Sequence, residues 1–332
     1  MEYTNFADHP LKISKICLGT MTFGDSCDYS LTERIVKTAY EKGVNFFDTA
    51  AMYVDGVTEE YLGKALKGID RESFFVGTKV VKGIDAESIL TGIDESLLRL
   101  QMDYVDLYMI HWPVKGMNLT EMMGALNQVV ELGKAKYIGV CNFSCYLMAS
   151  ANSVAAEKGW HRLECNQVAY NLIERGIEVE ILPHALLEDI VITAYRPLAV
   201  GLLTGKFRQG QKMDARTRGS SDSRVITWLS QYGAGIENFI NLAEKKGVHP
   251  AQLAISWILH NQAVTSPIVG VSSLTQLNLN LETVDISLTD EEYLAITHCF
   301  DTEVKEEGLQ IFPGLTYNYP RLRRQLNLAT RK

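Results

Sequence analysis

The fold this sequence predicts is a closed (β/α)8 barrel, and three observations predict it. Short apolar, β-rich segments alternate with amphipathic helix-like segments from Ile16 onward, eight times over. The length of 332 residues suits two average domains or one large barrel with insertions, a fold that takes about 250 residues in its plain form. The first strand runs into GTMTFGD, not into the G-x-G-x-x-G phosphate loop that opens a doubly wound open sheet. Residues 1–332 therefore read as a single barrel domain with an extra C-terminal helix and loops.

The elements follow in order. KICLGT is the first strand, and LTERIVKTAYEKG an amphipathic helix stopped by Gly43. VNFFDTA is apolar up to its last residues and precedes the helix TEEYLGKALKG. SFFVGTKV and YVDLYMIHW are β-rich strands, followed by the helices AESILTGIDESLLRLQ and TEMMGALNQVVELGK. AKYIGVCNF leads into CYLMASANSVAAEKG, and HRLECNQVAYN into EVEILPHALLED, a helix interrupted by Pro183. IVITAYRPL is the seventh strand; a long polar stretch and the helices GIENFINLAEKKG and PAQLAISWILHN follow it. VTSPIVG is the eighth strand, with a helix from near Ser273, then the acidic helix TDEEYLAITHCF and a tail over 301–332.

The net charge of −8 argues against general nucleic-acid or anionic-membrane binding. The six cysteines are dispersed, without metal-type spacing, and read as free thiols. No metal is expected. The N-terminus lacks a basic-then-apolar signal, and no apolar run reaches the ~18 residues of a spanning helix. A cytoplasmic protein is the expectation.

Four polar residues stand at or just beyond the ends of consecutive strands: Asp48, Tyr53, Lys79 and His111. In a barrel, chemistry sits at the strands' C-terminal ends. A free phenol titrates near ~10 and is a poor acid or base at neutral pH. A cationic Lys79 beside Tyr53 would lower that value, and a buried lysine needs a carboxylate, for which Asp48 is the natural partner. Tyr53 then trades a proton with a carbonyl or alcohol, and His111 orients the same oxygen. Taken singly, Asp48 reads as a turn acceptor, Tyr53 as a surface aromatic, Lys79 as a snorkelling lysine and His111 as a satisfied core histidine. Their matching positions in successive units favour the joint reading.

The stretches GVNFFDTAAMY, TKV, DLYMIHWP, IGVCNFS, ECNQVAYN, AYRPLAVGLLTGKF and PIVGVSSLTQLNLNL, in this order, closely resemble the aldo-keto reductase family over about residues 10–300. The resemblance implies a barrel binding NADP(H), less often NAD(H), with Tyr53 as general acid/base, Asp48 and Lys79 as its tuning pair and His111 orienting substrate. It also implies cofactor contacts. Asn142 and Gln167, with Cys141 where the family often has Ser, would hold the carboxamide, and Tyr195 would stack on the nicotinamide. Gly19, Thr20 and Met21 would line its ribose. Leu198, Gly201, Leu203 and Lys206 match the pyrophosphate loop. Gly270, Ser272, Gln276 and Asn280 match the adenosine end.

Arg196 replaces a frequent Ser; it would reach cofactor phosphates or a substrate anion, or else form a rim ion pair. No basic residue stands at Gly270, Ser272 or Gln276 to grip a 2′-phosphate. The loop over 206–226 carries Lys206, Arg208, Lys212, Arg216, Arg218 and Arg224 against Asp214 and Asp222. It is expected to act as a cofactor lid, with Arg218 supplying the missing cation, so NADPH is expected and NAD is the alternative. Met21, Phe23, Tyr53, Trp112 and the tail over 301–332, as a substrate loop or a structural strap, are expected to wall the substrate. Three functions compete: reduction of an aldehyde or ketone, NAD-dependent alcohol or sugar dehydrogenation, and a cofactor-binding regulatory subunit like potassium-channel β-subunits. The partner expected is a small carbonyl or alcohol; oligomeric state stays open.

Overall fold

The computed structural model describes residues 1–80, 83–208, 210–211 and 222–301. A short antiparallel hairpin, β1 (Tyr3–Thr4) and β2 (Ile13–Ser14), precedes the barrel. The eight expected strands are all present: β3 (Cys17–Gly19), β4 (Phe46–Asp48), β5 (Phe75–Val80), β6 (Val105–Ile110), β7 (Ala135–Cys141), β8 (Leu163–Ala169), β9 (Val191–Tyr195) and β10 (Ser266–Gly270). They are parallel and in chain order, and β10 returns to β3 with Gly270 opposite Gly19, closing the cylinder. Closure leaves every barrel strand paired on both sides, so the barrel sheet has no open edge.

Alternation along the strands builds two cores. Inward side chains Cys17, Phe46, Phe75, Leu107, Met109, Cys141, Cys165, Val191 and Ile268 fill the barrel. Outward side chains such as Leu18, Phe47, Val76 and Tyr108 pack beneath the helices. The hairpin was not legible in the sequence. Its loop sends Phe6, fully buried, against Phe75 (ring centroids 4.6 Å) and so plugs the barrel. Beside it, at the start of β6, buried Asp106 accepts from Arg71 at 2.7 Å and lies 3.4 Å from the Lys136 ammonium.

The helices are α1 (Tyr29–Glu41), α2 (Val57–Leu66), α3 (Ala86–Leu100), α4 (Leu119–Glu131), α5 (Cys145–Lys158), α6 (Ile181–Leu187), α7 (Ser223–Lys246), α8 (Pro250–His260), α9 (Leu274–Leu281) and α10 (Asp290–His298). Two expectations need correction. Pro183 does not interrupt a helix; it sits in the first turn of α6, where a missing N–H costs nothing. α7 begins at Ser223, three turns before the expected Gly235, because the Asp222 side chain caps it by accepting from the Arg224 N–H. The loop expected over 206–226 therefore ends at Asp222. The tail over 302–332 lies outside the described residues. No described helix is long and apolar enough to cross a membrane.

Candidate active site

The C-terminal ends of β4 and β5 bring Asp48 and Lys79 together inside the barrel mouth. The Lys79 ammonium donates to both Asp48 carboxylate oxygens at 2.8 Å and to the Thr49 carbonyl at 2.6 Å, and Lys79 is fully buried. Burial is the largest single influence and opposes the ammonium charge, but the Asp48 carboxylate, with smaller contributions from Tyr53 and Cys141, leaves the Lys79 pKa well above the ordinary lysine value. Thr20 locks the end of β4: its N–H and hydroxyl both donate to the Asp48 carbonyl, at 3.1 and 2.9 Å.

Tyr53 opens the turn Tyr53–Gly56, with Lys79 Nζ 5.2 Å from its ring centroid. The His111 ring stands edge-on to it, centroids 6.0 Å apart, and Trp112 stacks behind His111. The expected lowering of the Tyr53 pKa is not what the arrangement produces. Burial raises it, Lys79 pulls it down and Asp48 pushes it up again, and the net shift is upward. The phenol is protonated at neutral pH, as any tyrosine is, and the upward shift makes it a weaker acid; the Lys79 charge offsets part of that shift. His111 is held neutral: burial, reinforced by the Lys79 charge, drives its pKa down to about 3. Its Nδ1 is buried without a hydrogen-bond partner among the described residues.

Along the rim, Tyr195 Oη donates to Asn142 Oδ1 at 2.7 Å, and Asn142 Nδ2 donates to the His111 carbonyl at 3.4 Å. Asn142 takes up a left-handed backbone (φ 61°), which asparagine tolerates better than most residues. Gln167, 3 % exposed, donates its amide to Asp48 Oδ1 at 2.7 Å, a contact the sequence reading missed. Cys141 points into the barrel beneath the site, its Sγ 3.9 Å from Met109 Sδ.

The loop after β9 has the chemistry of an anion cradle. Arg196, Ala199, Val200 and Gly201 all have positive φ. A Cβ on Gly201 would lie 2.8 Å from Lys206 Cε and 2.9 Å from its Nζ. The Lys206 ammonium thus lies against bare backbone and 5.0 Å from the Phe207 ring centroid, and partial burial lowers its pKa. Among the described residues no carboxylate comes within ion-pair distance of it, so this positive end, turned onto the half-buried Gly201 backbone, fits a phosphate.

Several of the expected site residues are buried or already engaged by neighbouring groups. Phe23 is fully buried in the outer core, its carbonyl accepting from Thr58 of α2, so its side chain offers no exposed surface at the mouth. Gly19 and Thr20 are also buried, Gly19 against Ile268 and Thr20 on the Asp48 carbonyl. Leu203 is buried, its N–H bonded to the Leu198 carbonyl, and so props the loop. Arg196 takes the rim alternative: its guanidinium pairs with Glu174 at 3.2 Å and lies over the Tyr195 ring, 4.9 Å from the centroid. Arg208 and Arg224 pair with Glu237 and Asp222. Lys212, Arg216 and Arg218 lie outside the described residues. Met21 and Trp112 are exposed at the mouth. At the far end Gly270 is exposed, Gln276 folds back to accept from the Ser272 N–H at 2.8 Å, and Asn280 is buried on α9. No group of three or more metal-ligating side chains occurs among the described residues.

Residues 15–301 match the family model described as the aldo/keto reductase family. The chain is 33% identical over 333 residues to an uncharacterized oxidoreductase of Bacillus subtilis (strain 168), covering 95% of this chain and 97% of that one. It is 32% identical over 327 residues to versiconal hemiacetal acetate reductase of Aspergillus parasiticus, covering 88% and 95%. Among solved structures it resembles a glycerol dehydrogenase of Gluconobacter oxydans, with a TM-score of 0.78 and 29% identity over 90% of this chain and 94% of that one.

Proposed function

The chain belongs to the aldo/keto reductase family, oxidoreductases of carbonyl compounds that use nicotinamide cofactors, and on that premise we propose that it reduces an aldehyde or ketone to an alcohol with NADPH, Tyr53 donating the proton. The observation that carries this reading is the buried Asp48–Lys79 pair with its ammonium 5.2 Å from the Tyr53 ring centroid. When bound, the nicotinamide supplies the hydride. The chain's own residues do the rest. Tyr53 Oη donates a proton to the carbonyl oxygen, and Lys79, kept charged by Asp48, stabilises the phenolate left behind. Neutral His111 offers a ring N–H to the same oxygen without competing as an acid.

Lys206 and the backbone around Gly201 would hold the pyrophosphate, Asn142 and Gln167 the carboxamide, Tyr195 the flat ring, and Ser272, Gln276, Asn280 and Gly270 the adenosine half. We assign Arg218 to the 2′-phosphate, place Met21 and Trp112 at the substrate mouth, and expect a cytoplasmic enzyme. NAD-dependent dehydrogenation is the second reading, favoured by the absence of a cation at Gly270, Ser272 and Gln276 and by the likeness to a glycerol dehydrogenase.

The test is binding of NADPH and NADH, followed by fluorescence quenching, on wild type and Arg218→Ala, with turnover of aldehydes on wild type and Tyr53→Phe. Tight NADPH binding weakened by Arg218→Ala, with turnover lost in Tyr53→Phe, supports the reductase. Tighter NADH binding selects the dehydrogenase. Binding of either without turnover selects a regulatory subunit.

A further inference from the structure

We infer that Glu59 is a positioning residue that holds the Tyr53 turn in register with Lys79, acting through Thr78 and Arg99. The inference rests on the reading of Tyr53 as proton donor.

Glu59 lies in the first turn of α2, where a glutamate ordinarily faces water and complements the helix dipole. Here it is fully buried, and each carboxylate oxygen is engaged. Oε1 accepts from Thr78 Oγ1 at 2.6 Å, and Oε2 accepts from Arg99 Nε at 2.6 Å. Thr78 is the neighbour of Lys79 on β5. Because side chains alternate along a strand, Thr78 faces α2 while Lys79 faces the barrel interior. The Glu59–Thr78 bond therefore ties the start of α2 to the strand that carries the lysine.

The Tyr53 turn is the segment strung between these fixed points. At one end the Thr49 and Ala51 N–H groups bond the Gly77 and Lys79 carbonyls. At the other, Gly56 leads directly into α2. Val54, Asp55 and Gly56 have φ of 48°, 51° and 92°, three successive left-handed residues that persist only when the surroundings over-determine them. Arg99 supplies part of that determination. A Cβ on Gly56 would lie 2.6 Å from Arg99 Cδ and 2.9 Å from its Nε, so the arginine held by Glu59 lies flat against the turn's last residue. One buried carboxylate thus anchors both the strand under Lys79 and the arginine that shapes the turn under Tyr53.

A role confined to stapling helices would lower stability and nothing else. A positioning role predicts a kinetic signature in Glu59→Gln, which keeps the Thr78 bond but loses the Arg99 charge pair. A misplaced proton donor lowers kcat by about 100-fold, while carbonyl KM and cofactor Kd stay within about two-fold, since neither ligand is bound by Glu59. Drawing Tyr53 away from Lys79 removes the influence that lowers its pKa, so the alkaline limb of the reduction profile moves to higher pH. Arg71→Ala, which breaks the Asp106 cluster at the opposite end of the barrel, is the stability control: it should lower Tm with kcat and the alkaline limb unchanged.

If Glu59→Gln and Arg71→Ala both lower Tm while both keep wild-type kcat and pH profile, Glu59 is a staple and the inference fails. Should Glu59→Gln not fold, Thr78→Val reports on the same tie; a lowered kcat with a shifted limb supports the inference, and wild-type values overturn it. Tyr53→Phe separates the two layers of argument. Activity that is lost in Tyr53→Phe but survives Glu59→Gln and Thr78→Val defeats the positioning role alone. Full activity in Tyr53→Phe defeats the proton-donor reading and this inference with it.

Discussion

Replacing Asp48 with Asn keeps the shape of the side chain and removes one charge from a pair that has almost no contact with water. The Lys79 side chain is 0% exposed and that of Asp48 4%, and the ammonium's contacts are the two carboxylate oxygens and the Thr49 carbonyl. Breaking a buried pair on one side strands the other charge, at a cost of about 3–5 kcal/mol. The pH dependence gives the sharper test. In the wild type the folded pKa of Lys79 lies above its unfolded value. The stability this contributes is fully present below about pH 10, the unfolded lysine value, and would be lost only as pH rises through the folded pKa. In Asp48→Asn the influence that raises the pKa is gone and burial remains, so the folded pKa falls below the unfolded one. Between those two values the unfolded chain binds more protons, and the variant gains stability as pH rises. Denaturant unfolding of both proteins at several pH values from 6 to 9.5 measures this directly. The expected result is a large deficit at neutral pH that narrows toward alkaline pH. A variant as stable as wild type at pH 7, or a deficit that widens with pH, would refute the argument that Asp48 holds a charged lysine in a dry site.

Three further predictions follow from the same geometry. Because His111 titrates down near 3, the pH profile of kcat/KM for reduction should be flat through pH 5–8, and an inflection near the ordinary histidine value that disappears in His111→Phe would show that its ring is not held neutral. Gly201→Ala forces a Cβ onto the Lys206 ammonium at a backbone φ of 91°; cofactor Kd should rise by about ten-fold or more, the effect of roughly 1.4 kcal/mol, and an unchanged Kd by fluorescence titration would remove this loop from the phosphate site. Arg196→Ser should leave NADPH affinity within about three-fold and cost under about 1 kcal/mol, as a partly exposed ion pair does; a much weaker complex would return Arg196 to the cofactor phosphates.

The cofactor loop shows where sequence and structure divide the work. Lys206, Arg208, Arg218 and Arg224 look alike in sequence, as one run of positive charge. The structure separates the three that it describes: Arg208 and Arg224 are consumed by Glu237 and Asp222, and Lys206 is left against glycine backbone. Phe23 is a similar case. Its place after the first strand suggested the substrate wall, yet its side chain is buried in the outer core, because a loop residue's direction follows from what packs over it and not from its position in the chain.

By itself the sequence determined the eight strand–helix units, their order, and the placing of Asp48, Lys79 and His111 at strand ends. Those features are local: apolar alternation, helical periodicity and the break in apolarity are written in adjacent residues. The hairpin plug, the commitment of Thr20 to the Asp48 carbonyl and the burial of Glu59 were decided only by tertiary structure. Gln167 and Asp48 are 119 residues apart and 2.7 Å in space, a proximity that arises only when the barrel closes. The direction of the Tyr53 shift belongs to the same class. It is a contest between desolvation and two opposite charges of similar reach, and distance and burial, which exist only in the folded chain, settle which one wins.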